Sequence, residues 1–462
     1  MNADLEECLN RHGQSHVLRF WSELSEPERA QLVKQLESID FDQIRQLAEQ
    51  TDVAEHWGKL AEKANVPPAI TLEDFADPSS YEQAYLTGKQ ALETGKIGMI
   101  LVAGGQGTRL GFEHPKGMFP IGPVSNRSLF QIHFEQVIGR SIQFGAPIPL
   151  YVMTSPPTHD ETTRFLMEND FFGIEKENVN IFCQGVMPAV DENGRLLLED
   201  KAKVFVSPDG HGGTLAAFAK SGCLADAKSR GVEHLFYGQV DNPLIQICHP
   251  ALIGYHLNSG SEMSSQVVRK NDPAQKVGNV VEIDGKVQII EYSDLPEKYA
   301  EQTNEDGTLK LWAGSIAVHI FSVDFMDRSS AQSELLPFHR ANKKVPYLDE
   351  SGVLIHPERP NAFKFERFIF DLLPYAKNAI VCEVDPADGF CAVKNSSPAP
   401  SETPQHVKQA ISDLHRRWLV EAGVSVAPNV VVEINPIFAP DAETLKQKIE
   451  PGLSITQPTY FH

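Results

Sequence analysis

The apolar run Ile97 to Ala103 breaks directly into Gly104-Gly105-Gln106-Gly107, and that junction constrains the fold more than any other stretch of the 462 residues. A run this short and apolar reads as a buried strand and falls well below the ~18 residues of a membrane span. Glycines placed just after a strand let backbone N–H groups approach a ligand, while Arg109 and Lys116 add positive charge. The pattern describes a phosphate cradle at the carboxyl end of a strand, where open α/β sheets bind ligands. It is not the dinucleotide fingerprint, because Leu110 stands where the third glycine belongs. Nor is it a Walker loop, since no Gly-Lys-Ser/Thr closes it. A plain strand-to-helix turn would need only one capping glycine.

Further strands are expected at Leu150–Thr154, Val179–Cys183 and His234–Val240, each separated by enough chain for a helix. Such alternation predicts βαβ units and a doubly wound, mostly parallel α/β sheet. Upstream, Ser25-Glu26-Pro27-Glu28 is a helix start, and Leu32, Val33, Leu36 and Ile39 follow at helical spacing. After Asp241 a hairpin is expected from Val277–Ile283 through Asp284-Gly285 to Val287–Tyr292, then a second meander from Asp306 to Phe321. An amphipathic helix near Phe365–Ala376, a strand at Ala379–Val384, a helix near Gln405–Glu421 and a strand at Val430–Ile434 complete the reading. The expected organisation is an N-terminal helical region (1–90), a core carrying the hairpin (91–395), and a C-terminal helix with a small lobe (396–462).

With 41 Lys and Arg against 62 Asp and Glu, the net charge is −21. That balance argues against a nucleic-acid binder, which gains affinity from cations neutralising phosphates. It does not oppose a small polyanionic substrate, because screening over about 8 Å isolates a local cationic pocket from distant charge. The start, Met1-Asn2-Ala3-Asp4-Leu5-Glu6-Glu7, lacks a signal peptide's basic and apolar segments. The six cysteines are scattered without a C-x-x-C pair, as expected of buried thiols in a reducing cytosol. A cytoplasmic protein with no membrane partner is the expectation, and the oligomeric state stays open.

The stretch L-V-A-G-G-Q-G-T-R-L-G-F-E-H-P-K-G (101–117) resembles the signature of the UDP-sugar pyrophosphorylases, above all their N-acetylglucosamine branch. The resemblance continues in order through Phe182-Cys183-Gln184-Gly185, Ser207-Pro208-Asp209-Gly210-His211-Gly212-Gly213, Gly238-Gln239-Val240-Asp241-Asn242, Val277-Gly278-Asn279-Val280, Ile290-Glu291-Tyr292-Ser293 and Asn361-Ala362-Phe363-Lys364-Phe365-Glu366. These blocks span roughly 95–400.

Such a resemblance implies a Rossmann-like, glycosyltransferase-A-like nucleotidyltransferase core that joins UTP to a sugar 1-phosphate with Mg²⁺ and releases pyrophosphate. Catalysis of that kind is alignment and charge neutralisation, without a nucleophilic side chain. By similarity Gly104, Gly105 and Gly107 hold the nucleotide, Arg109 and Lys116 grip the departing phosphates, and Lys364 shields the attacking one. Asp241 matches the metal-binding acid; read alone it is also a turn cap before Asn242-Pro243. Gln184 matches the uracil reader, with Gly210 against base and ribose where a side chain would collide. Gly278 and Glu291 match the sugar pocket. Two positions depart from the N-acetylglucosamine pattern: His211 replaces an Asn, as in glucose-type relatives, and Ser315 replaces another that faces the sugar. Both lie on the sugar side, and His211 also reads as a structural histidine bonded to backbone. A broad-specificity UDP-hexose pyrophosphorylase and a catalytically silent UDP-sugar-binding protein are the alternatives.

Overall fold

The computed structural model describes residues 3–49, 53–332 and 335–462. The chain divides into two units: a smaller one from the described residues of Met1–His56, Gln184–Thr214 and Glu334–Asp371, and a larger one from Trp57–Cys183, Leu215–Ser333 and Leu372–His462. The expected N-terminal helical region, 1–90, is thus shared between them.

In the larger unit the apolar runs become the middle of a ten-stranded sheet. Its strands are β1 (Ala69–Ile70), β2 (Ile97–Val102), β3 (Leu150–Thr154), β4 (Val179–Cys183), β5 (His234–Gln239), β6 (Met263–Arg269), β7 (Asn279–Ile283), β8 (Lys286–Ile290), β9 (Ala313–Ser322) and β10 (Ile380–Glu383). The order is β1-β10-β6-β9-β5-β2-β3-β4, with the β7–β8 hairpin attached to β9. Parallel pairing joins β5, β2, β3 and β4, setting His234 opposite Ile97, and Met99 opposite Leu150. Every residue of β3 is buried, and only Val102 of β2 is partly exposed, as expected of strands covered on both faces. β9 runs antiparallel between β5 and β6, which makes this Rossmann-like α/β sheet mixed.

Local chemistry sets the helix ends. The helix Leu129–Phe144 starts where the Ser128 side chain accepts the Gln131 N–H, and stops at Gly145 with φ +69°. Two other helices, Pro78–Glu93 and Pro250–Asn258, approach so closely that a Cβ on Gly254 would lie 1.7 Å from the Ala84 carbonyl oxygen. Towards the C-terminus, Leu419, Val424, Val432, Ile434, Leu445 and Ile455 form a core of their own. Among the described residues no helix is long and apolar enough to cross a membrane.

The smaller unit buries Leu9, Leu32, Leu36, Ile44, Val190, Val204 and Phe365 together. The Ser25–Glu28 capping box opens its helix Glu26–Glu37 as expected. Two elements differ from expectation. Residues Ala362–Glu366 are a strand between His339–Lys343 and Val190–Asp191, and a 3-10 turn, Ile369–Tyr375, follows. Ala362 and Phe365 are buried there, and Pro374 forbids a continuous α-helix. In the larger unit the second meander is absent: 306–321 contributes the single strand β9, and Asp306-Gly307 only turns the chain inside an isolated Thr303–Leu309 bridge.

Candidate active site

The glycine loop leaves β2 and closes on itself. Gly107 N–H donates to His114 O at 2.9 Å and Lys116 N–H to Gly105 O at 3.0 Å. Gly107 must lack a side chain, because a Cβ would sit 2.7 Å from the Phe112 carbonyl oxygen. Gly105, by contrast, is exposed, and a methyl added there would meet nothing within 4 Å. The Gly104 carbonyl is tied down by Ser155 Oγ at 2.6 Å. Arg109 lies exposed on the 3-10 turn Thr108–Leu110.

Lys116 reaches across to the end of β5, where its Nζ lies 3.3 Å from Asp241 Oδ2; the side chains are 18% and 16% exposed. The partner of the Asp241 carboxylate is thus a cation from another loop, and the cap of the turn that follows comes from elsewhere. Its neighbour Asn242 does that work, accepting Leu244 N–H at 3.4 Å, and it also ties the turn to a distant segment by accepting from Cys391 N–H at 2.9 Å and donating to Gly389 O at 2.9 Å. Beneath the strand end, His133 meets Val240 O at 3.0 Å, and burial holds its imidazole at about 4. The ring is neutral near pH 7, so the nitrogen facing Val240 O carries the hydrogen. Val393 N–H donates to Asp241 O, which brings in a cation that the sequence does not single out: Lys394, paired with Glu402 at 3.0 Å. Among the described residues no cluster of three or more His, Cys, Asp or Glu side chains is arranged to hold a metal unaided. Asp241 alone suits Mg²⁺, a hard ion that commonly takes one or two carboxylates and completes its shell with substrate phosphates and water.

A second grouping forms on the hairpin. A Cβ on Gly278 would stand 2.9 Å from Glu291 Oε1, so the carboxylate lies across the glycine. Ser315 N–H donates to Gly278 O at 2.8 Å. Gly278, Glu291 and Ser315 are thus brought together. Beside them β9 bulges, with Gln266 opposite Val318 and Val267 opposite Ser315, and Ala317 adopts φ +55°. Ala317 N–H points to Ser315 Oγ at 3.4 Å, which ties the hydroxyl to the bulge. Lys270, 2% exposed, donates to Asn279 Oδ1 at 2.7 Å just behind this hairpin, and burial lowers its pKa.

The remaining predicted residues belong to the smaller unit. Gln184 is buried, and its Oε1 finds no donor among the described residues. Gly210 has φ +84°, and a Cβ would lie 2.4 Å from Arg367 O. The protein's own backbone is thus by itself enough to demand glycine here, beside the base and ribose contact that the resemblance implies. His211 Nδ1 accepts the Ile369 N–H at 3.2 Å, and the ring stacks on Phe368 at 5.3 Å. Burial holds this imidazole at about 4, with His339 lowering it further, so Nε2 carries the hydrogen. The bond to backbone is the one the structural reading of His211 anticipates. Lys364, half-buried on the strand Ala362–Glu366, places Nζ 5.0 Å from the Phe205 ring centre, and burial lowers its pKa against the pull of Glu366. Asp209 is a residue that sequence reasoning misses. Its N–H donates to Gly185 O, its carboxylate fills the space beside Gly185 and Gly213, and burial pushes its pKa up to about 6. The available signal is its place before Gly210, in a block that stands out for its glycines.

Residues 40–430 match the family described as UTP–glucose-1-phosphate uridylyltransferase. UDP-N-acetylhexosamine pyrophosphorylase-like protein 1 of Mus musculus is 34% identical over 484 residues, covering 97% of this chain and 94% of the relative. UDP-N-acetylglucosamine pyrophosphorylase of Saccharomyces cerevisiae is 34% identical over 461 residues, covering 96% and 97%. Among solved structures, the Trypanosoma brucei uridine diphosphate N-acetylglucosamine pyrophosphorylase in complex with inhibitor is similar over 100% of this chain and 99% of that one, at TM-score 0.81 and 27% identity. By sequence along nearly its whole length and by fold, this chain belongs to the UTP–glucose-1-phosphate uridylyltransferase family.

Proposed function

We propose that the protein transfers the uridylyl group of UTP to an N-acetylhexosamine 1-phosphate, releasing pyrophosphate, with Mg²⁺ held on Asp241. An oxygen of the sugar phosphate bonds to the α-phosphorus as the bond to the bridging β-phosphate oxygen breaks, and the electron pair leaves with pyrophosphate. Both reactants are anions, so the protein's task is to align them and offset their charge. The observation that carries this reading is the Lys116–Asp241 pair at the mouth of the glycine loop, a cation and a metal-type acid side by side. Lys116 and Arg109 offset the charge on the departing phosphates, and the exposed Gly105 leaves its backbone open to the nucleotide. Bound Mg²⁺ would supply further neutralisation of the phosphate oxygens. Gln184 reads uracil; its orphaned amide oxygen suits the one N–H that the uracil edge offers. Glu291 accepts hydrogen bonds from sugar hydroxyls over Gly278, and Lys364 screens the attacking phosphate.

A broader sugar range is the second reading. It is favoured by Ser315, whose hydroxyl faces the Ala317 N–H, and by His211, whose Nδ1 is taken by backbone. A panel of sugar 1-phosphates incubated with UTP and Mg²⁺ separates the two by rates of pyrophosphate release and product mass. No release from any sugar in the panel refutes both. A cytosolic setting is proposed from six free, scattered cysteines, which a reducing compartment maintains.

A further inference from the structure

We infer that Glu433, far along the C-terminal stretch, is a positioning residue for uridylyl transfer, holding the turn that sets Lys116. The inference rests on the reading of Lys116 as a phosphate-binding group. Glu433 lies on the strand Val432–Ile434 and is 3% exposed. Its Oε2 accepts the N–H groups of Val124 and Ser125, each at 2.7 Å, and its Oε1 accepts Ser125 Oγ at 2.7 Å. A buried carboxylate is expensive unless its lone pairs are matched, and this one is matched by a single turn.

That turn leads back to the site by direct contacts. Ile121 and Gly122 N–H both donate to Arg127 O, at 2.8 and 3.0 Å, and Ser125 Oγ accepts Arg127 N–H at 3.1 Å. Gly122 is pressed against the carboxylate, since a Cβ there would lie 2.8 Å from Glu433 Oε1. On the far side, Leu129 N–H donates to Phe119 O at 3.0 Å, and the Phe130 ring fills the space a Cβ on Gly117 would need, 2.2 Å away. Lys116 itself sits on a single 3-10 turn, Lys116–Met118, closed by the Met118 N–H to Pro115 O and Phe119 N–H to Lys116 O bonds. So short a turn keeps its aim only if its surroundings are fixed. A neutral residue would pack at 433 as well; two convergent amides and a hydroxyl call for a carboxylate.

The test is a cycle of Glu433→Gln and Lys116→Ala in the full chain, reading dissociation constants for UTP and uridine by calorimetry and folding by circular dichroism. The glutamine keeps one oxygen for the two N–H groups only by turning its N–H₂ on Ser125 Oγ, which already accepts the Arg127 N–H, so the charge and the hydroxyl's acceptor are lost and the turn shifts. UTP binding is expected to weaken about 10-fold when Lys116 is present and less than about 2-fold when it is alanine, with uridine binding unchanged in both. Equal losses in the two backgrounds, no loss in either, or a parallel loss for uridine would overturn the inference. Ser125→Ala, which removes one of the three bonds, gives a smaller loss in the same pattern and serves if Glu433→Gln does not fold. If Lys116→Ala alone binds UTP as tightly as the parent, the reading of Lys116 fails instead.

Discussion

Replacing Lys116 by methionine keeps the stem and deletes the charge, and its consequences for stability and activity are expected to separate. At 3.3 Å, with an effective dielectric constant of about 20, the Lys116–Asp241 attraction is about 5 kcal/mol before desolvation. Both side chains have already lost most of their water, so the net loss on deletion is smaller, about 2 kcal/mol, chiefly from leaving Asp241 unpaired. That is a melting-temperature change of a few degrees. A charged donor aimed at developing phosphate charge is worth more, about 3 kcal/mol or 10²-fold in kcat/KM. Pyrophosphate release per folded molecule, with melting followed by circular dichroism, measures both. In an Asp241→Asn background the stability cost of Lys116→Met should largely vanish, because no carboxylate is left stranded, while the catalytic loss due to Lys116 persists. A fall in kcat/KM below about 5-fold alongside a large fall in melting temperature would show that the lysine is a strut and not a phosphate ligand.

The glycines offer a paired contrast. Gly254→Ala drives a methyl into the Ala84 carbonyl oxygen, 1.7 Å away, and should cost about 3 kcal/mol in denaturant unfolding with activity per folded molecule unchanged. Gly105→Ala meets nothing within 4 Å, so stability should shift by less than about 0.5 kcal/mol while KM for UTP rises. A second expectation concerns acid. His133, fully buried and held at about 4, is neutral when folded but takes a proton near its ordinary value when unfolded. Its contribution is therefore complete above about pH 6.5 and is lost as pH falls towards 4, by about 3 kcal/mol. In urea titrations across that range His133→Gln should flatten the decline; an unchanged slope would show that the imidazole does not titrate there.

Legibility follows burial. β2, β3 and β5 can be placed to within a residue, because strands covered on both faces have no alternative to continuous apolar runs, while β4, a part-exposed edge strand, is marked by Val179, Ile181 and Phe182 on either side of Asn180. β6, Met263–Arg269, is hidden for the opposite reason: Ser264 and Ser265 are buried yet polar, satisfied by His256 at 2.6 Å and His319 at 2.9 Å. Such hydroxyls read as loop until their partners are known. The strand Ala362–Glu366 reads as helical because its aromatic residues run on into 368–370, and only pairing with Arg340 and Ala341 across the sheet settles the period.

The site divides along the same line. Loop chemistry that is local in sequence can be read residue by residue: the glycine cluster, the strand-terminal Asp241, the Gly278–Glu291 hairpin. What cannot be read is which backbone a glycine or histidine answers to. Gly210 and His211 are constrained by Arg367 and Ile369, about 158 positions further on, and no spacing rule connects them. The same holds for Glu433, which meets Val124 and Ser125 across 309 and 308 positions. A residue that touches substrate leaves its mark in a short block, because the chemistry demands a type at a place. A residue that fixes another's aim needs only to be the right shape and charge at the far end of a contact, and that far end falls almost anywhere along the chain, as it does for Glu433 on a separate two-stranded sheet. Supporting residues of this kind are therefore the part of the site that only coordinates reveal, and Glu433 is where the distinction can be measured.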